Sequence, residues 1–381
     1  MARSEAPGGG SMADEYGNMG ADGETTVIEE FTLDSGRVLS KVEVRWNWWG
    51  TLSEGRDNVI VICHALTGNA NAQNWWGQLI GPCRPLDTRT FCVFCSNVLG
   101  GCYGTTGPTS VDPATGLRYG GSFPKVTIRD MVRLQAAVLR QLGVREVVCA
   151  VGGSMGGMQA LEWALEVQNP KVLSIASLCA SGRHHPWQIG ISECQRYAIK
   201  SDPLWKGGNY PPDEPPNNGL AVARMMAMLT YRTHPAYGTK FGRVMVQTQQ
   251  QRIFDVENYL RQQGNKFIVR GFDPMSYVVL TEAMDSHDVE RGRGSYRDVL
   301  KSISVPTLIV SISSDVLYPV AEQLELAECI PSAQHHMIQS DEGHDGFLLE
   351  HLKVGTLLRG FLAQVVPCEP VVVSPAQNSK L

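Results

Sequence analysis

The run Gly152-Gly153-Ser154-Met155-Gly156 sets one hydroxyl among residues small enough to let it stand in a sharp turn. Before it lies Glu146-Val147-Val148-Cys149-Ala150-Val151, which is short, apolar and β-branched. After it lies Gln159-Ala160-Leu161-Glu162-Trp163-Ala164-Leu165-Glu166, rich in helix formers. A G-x-S-x-G between a strand and a helix is the setting of a nucleophile elbow. The serine Oγ is lifted to the top of a sheet, at a helix N-terminus whose partial positive charge favours a developing oxyanion. The chemistry this suits is attack on a carbonyl carbon through a covalent intermediate. A phosphate loop is excluded, because no Lys-Ser/Thr pair ends the run and the spacing does not match G-x-G-x-x-G.

Such a serine needs a base and an orienting acid, each at a strand's carboxyl end, in the chain order Ser, Asp, His. After Thr307-Leu308-Ile309-Val310-Ser311-Ile312 comes Ser313-Ser314-Asp315. After His336-Met337-Ile338-Gln339 comes a loop holding Gly343-His344-Asp345. The order makes Ser154 the nucleophile, His344 the base and Asp315 the acid that fixes the imidazole tautomer. Asp341 and Glu342 are near His344 but precede it, which is the wrong side for that acid. An oxyanion hole takes two backbone N–H groups, that of Met155 and one from the loop after an early strand. Val59–Cys63 runs into His64-Ala65-Leu66-Thr67-Gly68, which offers Leu66 N–H, with His64 shaping the loop.

These residues need elements to place them. Strands are expected at Val59–Cys63, Phe91–Ser96, Glu146–Val151, Val172–Leu178, Thr307–Ile312 and His335–Gln339, and a helix at Ile128–Leu142 between Thr127 and Gly143 as caps. Alternation of strand and helix implies a mostly parallel sheet with helices on both faces. The pattern breaks between about Gly182 and Ser295, where helical stretches such as Gly219–Tyr231 and Asp255–Gln263 lie among Pro-rich turns, with no strand series. The organisation expected is a disordered tail over 1–26, a core over 27–182 and 296–366, a helical lid over 183–295 and a tail over 367–381.

Composition narrows the class further. The 381 residues are 43% hydrophobic and 19% charged with a net charge of −5, as in a globular enzyme, which argues against nucleic acid or an anionic membrane as partner. No apolar run is long enough to span a membrane. Cys92-Val93-Phe94-Cys95 matches C-x-x-C in letters, but in a strand the two thiols point to opposite faces. The ten cysteines read as reduced structural thiols, and no metal set is expected.

From about residue 27 to 365 the chain resembles the homoserine O-acetyltransferase family of α/β-hydrolase-fold acyltransferases. The resemblance rests on His64–Gly68, the block Asn97–Pro108, Asp112–Gly116, Phe123–Asp130, Gly152–Trp163, Gln195–Ile199, Asp288–Gly294 and Gly343–Asp345. It implies an α/β-hydrolase fold, and ping-pong transfer of acetyl from acetyl-CoA, through acetyl-Ser154, to the side-chain hydroxyl of L-homoserine in methionine biosynthesis. It implies no permanently bound cofactor and a homodimer paired through the lid. By position it makes Arg196 the partner of the acceptor's carboxylate and Asp345 the partner of its ammonium. Departures at Trp46–Gly50 and at Tyr103 keep a succinyl donor or another hydroxylated acceptor open, and small-ester hydrolysis stays open because the triad alone does not exclude water. The final Ser379-Lys380-Leu381 reads as an address for the import receptor of a peroxisome or glycosome, with a cytoplasmic location as the alternative.

Overall fold

The computed structural model describes residues 23–248 and 251–366. Strands β1 (Glu24–Thr32), β2 (Val38–Trp49), β3 (Val59–Cys63), β4 (Cys92–Ser96), β5 (Glu146–Gly153), β6 (Lys171–Val172), β7 (Ile175–Leu178), β10 (Thr307–Ile312) and β11 (Ala333–Ile338) form one sheet, while β8 (Met245–Gln247) and β9 (Arg252–Phe254) form a separate hairpin. The main order is β1-β2-β4-β3-β5-β7-β10-β11, with β6 beside β5. From β4 to β11 the pairings are parallel; β1–β2 and β2–β4 are antiparallel. This is the α/β-hydrolase architecture expected from the sequence.

The central strands are apolar on both faces because helices cover both. In β3, Val59, Val61 and Cys63 join one core, and Ile60 and Ile62 join the other. Cys92 and Cys95 divide between the same two cores. One face carries α2 (Ile128–Gln141), α3 (Met155–Glu166), α9 (Tyr296–Lys301) and α10 (Val320–Cys329). The other carries α1 (Ala72–Trp76), α11 (Gly346–Leu349) and α12 (His351–Val365). Between β7 and α9 come α4 (Pro186–Lys200), α5 (Asn217–Tyr231), α6 (His234–Phe241), α7 (Asp255–Val269) and α8 (Pro274–Asp285).

Local chemistry sets the boundaries. Thr127 starts α2 with a capping box, its Oγ1 accepting from Asp130 N at 3.2 Å while Asp130 Oδ2 accepts from Thr127 N at 2.9 Å. Helix α3, which carries the elbow, is tied down through Glu162. This buried acid meets Arg129 at 3.2 Å and Arg293 at 2.5 Å, joining α3 to α2 and to the end of the inserted region.

Some expectations change. The strand expected over Val172–Leu178 is split into β6 and β7, with Ser174 between them turning its hydroxyl onto Val148 O at 2.6 Å. The β1–β2 pair replaces an unassigned start: β1 begins at Glu24, inside the tail expected over 1–26, and pairs Glu24 with Trp46. Its partner β2 hides its period-two pattern because Lys41, at φ 52°, shifts the alternation. The inserted region also holds the β8–β9 hairpin, too short to leave a strand signal. Most of the 1–26 tail, and the 367–381 tail with Ser379-Lys380-Leu381, lie outside the described residues. Among the described residues no helix is long and apolar enough to cross a membrane.

Candidate active site

Ser154 stands between β5 and α3 at φ 59°, ψ −126°, a region that residues with a Cβ rarely adopt. Its N–H donates to Leu178 O at 2.9 Å, and its carbonyl accepts from Gly157 N at 2.8 Å. The motif's two outer glycines are needed for closeness. A Cβ on either Gly152 or Gly156 would overlap the carbonyl oxygen of Cys63 on β3. The nucleophile turn is therefore pressed directly against the neighbouring strand.

Asp315 leaves the end of β10 and is 5% exposed. Its Oδ1 accepts from Leu317 N and Tyr318 N, both at 2.9 Å, and its Oδ2 accepts from His344 Nδ1 at 2.7 Å. A carboxylate only accepts, so Nδ1 carries the hydrogen and Nε2 is left as the basic nitrogen. His344 is 3% exposed, and its Nε2 has no hydrogen-bond partner among the described residues. Ser154 and His344 line one narrow cleft of about 20 Å³ with Ala65, Leu66, Thr67, Tyr231, Asp345 and Phe347.

The wall opposite is the loop leaving β3. His64 pins it: Nδ1 donates to Ala65 O at 2.8 Å, and Nε2 accepts from Val98 N at 3.2 Å. Burial lowers the His64 pKa to about 4, so the ring is neutral and serves as a brace. Gln159 on α3 donates to His64 O at 3.1 Å and ties this loop to the nucleophile helix. Leu66 thus lies on the cleft wall, and Met155 opens α3, where first-turn N–H groups have no intrahelical acceptor.

Asp345 also lines the cleft, 4% exposed and ion-paired with Arg232 at 2.9 Å. Arg196 does not reach it. Its guanidinium is held by Asp285 at 2.7 Å and Glu193 at 2.8 Å, and it is absent from the cleft lining. The structure therefore does not bring Arg196 to the cleft, where the resemblance implies a partner for the acceptor's carboxylate. Trp46 is 1% exposed inside β2 and Tyr103 packs on Phe272, so neither departure touches the cleft.

Sequence reasoning missed Arg224. It lies 4% exposed on α5, 5.6 Å from the ring centroid of Tyr231, and lines a cavity of about 670 Å³ with Arg232, Tyr237, Lys240 and Glu342. Because Arg232 both lines this cavity and pairs with Asp345, cavity and cleft share a wall. The missed signal was present: Leu220, Ala223, Ala227 and Met228 form the buried stripe of α5, and one arginine interrupts it.

Comparison with known proteins agrees with the architecture. The α/β hydrolase fold family matches residues 58–351. The homoserine O-acetyltransferase of Chlorobium chlorochromatii is 50% identical over 337 residues, covering 88% of this chain and 94% of that one. The crystal structure of homoserine O-acetyltransferase from Bacillus anthracis superposes with a TM-score of 0.82 at 25% identity, covering 90% of this chain and 97% of that one. That of esterase E22 gives the same TM-score at 26% identity, covering 90% and 99%. With the elbow serine and His344 meeting in one cleft, Asp315 holding that histidine, and half the residues shared with such a relative along nearly its whole length, the chain belongs to the homoserine O-acetyltransferase family of α/β-hydrolase-fold acyltransferases.

Proposed function

We propose that this protein is a homoserine O-acetyltransferase working by a ping-pong mechanism on Ser154. The observation that carries the reading is the shared cleft of Ser154 and His344, with His344 Nδ1 fixed on Asp315 at 2.7 Å. Ser154 Oγ attacks the thioester carbon of acetyl-CoA while His344 Nε2 takes its proton. The tetrahedral oxyanion turns toward Met155 N–H and Leu66 N–H; the C–S bond breaks, and the CoA sulfur leaves with the proton from His344. Homoserine's hydroxyl then gives its proton to His344 as its oxygen attacks the acetyl-serine. Collapse returns the proton to Ser154 Oγ and releases O-acetylhomoserine.

The site's charges support this acceptor. Asp345 suits the acceptor's ammonium, and Arg224, buried across Tyr231 from the cleft, suits its carboxylate. Mixing enzyme with acetyl-CoA should give one equivalent of acetyl on Ser154 by mass spectrometry, and sustained CoA release only once homoserine is added. Equal sustained release without homoserine would assign the protein to ester hydrolysis instead. A mixture of acetyl and succinyl donors should leave acetyl alone on the enzyme.

A further inference from the structure

We infer that the segment His184–Gln188, with Asp285 behind it, is a positioning device for the Asp315–His344 pair, acting through Tyr318. The inference rests on the reading of Ser154, His344 and Asp315 as the reacting groups. The three residues that follow Asp315 are each held from this one segment. Trp187 Nε1 donates to Val316 O at 3.0 Å, Gln188 Nε2 donates to Leu317 O at 2.8 Å, and His184 Nε2 meets Tyr318 OH at 2.9 Å. The loop bearing the acid is thus gripped residue by residue from the helices inserted over the sheet.

Tyr318 is where that grip reaches the chemistry. Its N–H donates to Asp315 Oδ1 at 2.9 Å, and its ring lies 5.1 Å from the His344 imidazole at 32° between planes. One residue therefore fixes the carboxylate and flanks the base. Its hydroxyl is fixed in turn: His184 Nδ1 donates to Asp285 Oδ1 at 3.0 Å, and Asp285 Oδ2 pairs with Arg196 at 2.7 Å. The hydroxyl contact is buried, with Tyr318 at 0% and His184 at 7% exposure. Burial, with Glu322 and Asp315 nearby, holds the Tyr318 phenol well above its ordinary range, so it keeps its proton and donates to His184 Nε2. A carboxylate–histidine pair fixing a third group's orientation is the arrangement that steadies metal-bound histidines. Here it steadies a tyrosine that contacts both members of the catalytic pair. This also gives Arg196 its place, as the far anchor of the device.

Tyr318→Phe keeps the ring and the amide and removes only the hydroxyl; His184→Gln cuts the same contact from the other side. Each should lower kcat about tenfold, with KM for acetyl-CoA and for homoserine within about twofold of the parent. The double variant should lose little beyond either single change, because both break one link. Parental kcat in both variants would overturn the inference, even with a lowered melting temperature, since that assigns the contact to stability alone. A raised homoserine KM at parental kcat would overturn it too, by moving His184 to the acceptor site. Ser154→Ala, run in parallel, keeps the two readings apart: if it retains turnover, the reactive trio itself is wrong.

Discussion

At the carboxyl ends of β5 and β10 the reactive side chains stand within a few residues of the strand that carries them, and backbone geometry aims them. In the inserted region the charges tied to the cleft come from mid-helix, as Arg224 does, or from a helix's far end, as Arg232 and Asp285 do. The sheet edge supplies reactivity by local turns that tolerate little change. The inserted region supplies recognition and alignment by contacts between residues far apart in the chain. The first kind of function should fail completely when touched, and the second by degrees.

Three measurements press on that contrast. Ser154→Ala should remove acetyl-enzyme formation and reduce turnover by about 10⁴-fold or more in both half-reactions; a variant that still releases CoA at a fair fraction of the parental rate would break the comparison at its root. Arg224→Ala should raise the homoserine KM about a hundredfold, the order of one charge-assisted bond, while CoA release in the first half-reaction stays parental. If Arg196→Ala had that effect instead, the division of labour among the inserted helices would need redrawing.

The smallest effect concerns stability, and each region supplies one case. Burial lowers His64, on the sheet edge, to about 4 and His287, at the inserted region's end, to about 3. An unfolded histidine titrates near 6.5, so below that pH the unfolded chain binds more protons than the folded one. Stability should therefore be intact above about pH 6.5 and fall as the pH drops toward 4, each ring accounting for about 2 kcal/mol between pH 7 and 5. Urea unfolding of His64→Gln and of His287→Gln should show a flatter pH dependence than the parent over that window. An unchanged slope in either would show that its ring is protonated in the fold.

What could be read from the sequence follows the same line. Glu146–Val151, Gly152–Gly156 and Thr307–Asp315 announce themselves because strand, turn and reactive residue are neighbours in the chain. Thr127 and Asp130 are legible for the same reason, three residues apart in one cap. Arg196 was not, because its partner Asp285 lies 89 residues on, and nothing local tells a guanidinium paired within the protein from one facing a substrate. Arg224 lies between these cases: a cation in an apolar stripe is visible in the sequence, but the cleft it borders is not. Strand β2 was obscured by a single backbone angle at Lys41, which no residue type signals.

The turn at Ser154 has a consequence beyond chemistry. A backbone held at φ 59° by a residue with a Cβ sits about 1 kcal/mol or more above rest, whereas glycine would occupy the same angles in comfort. Position 154 is thus asked for two things that conflict, a reactive oxygen and a relaxed chain. A descendant of this fold freed from catalysis could become sturdier by a single exchange to glycine, and its silence would be the trace of that gain.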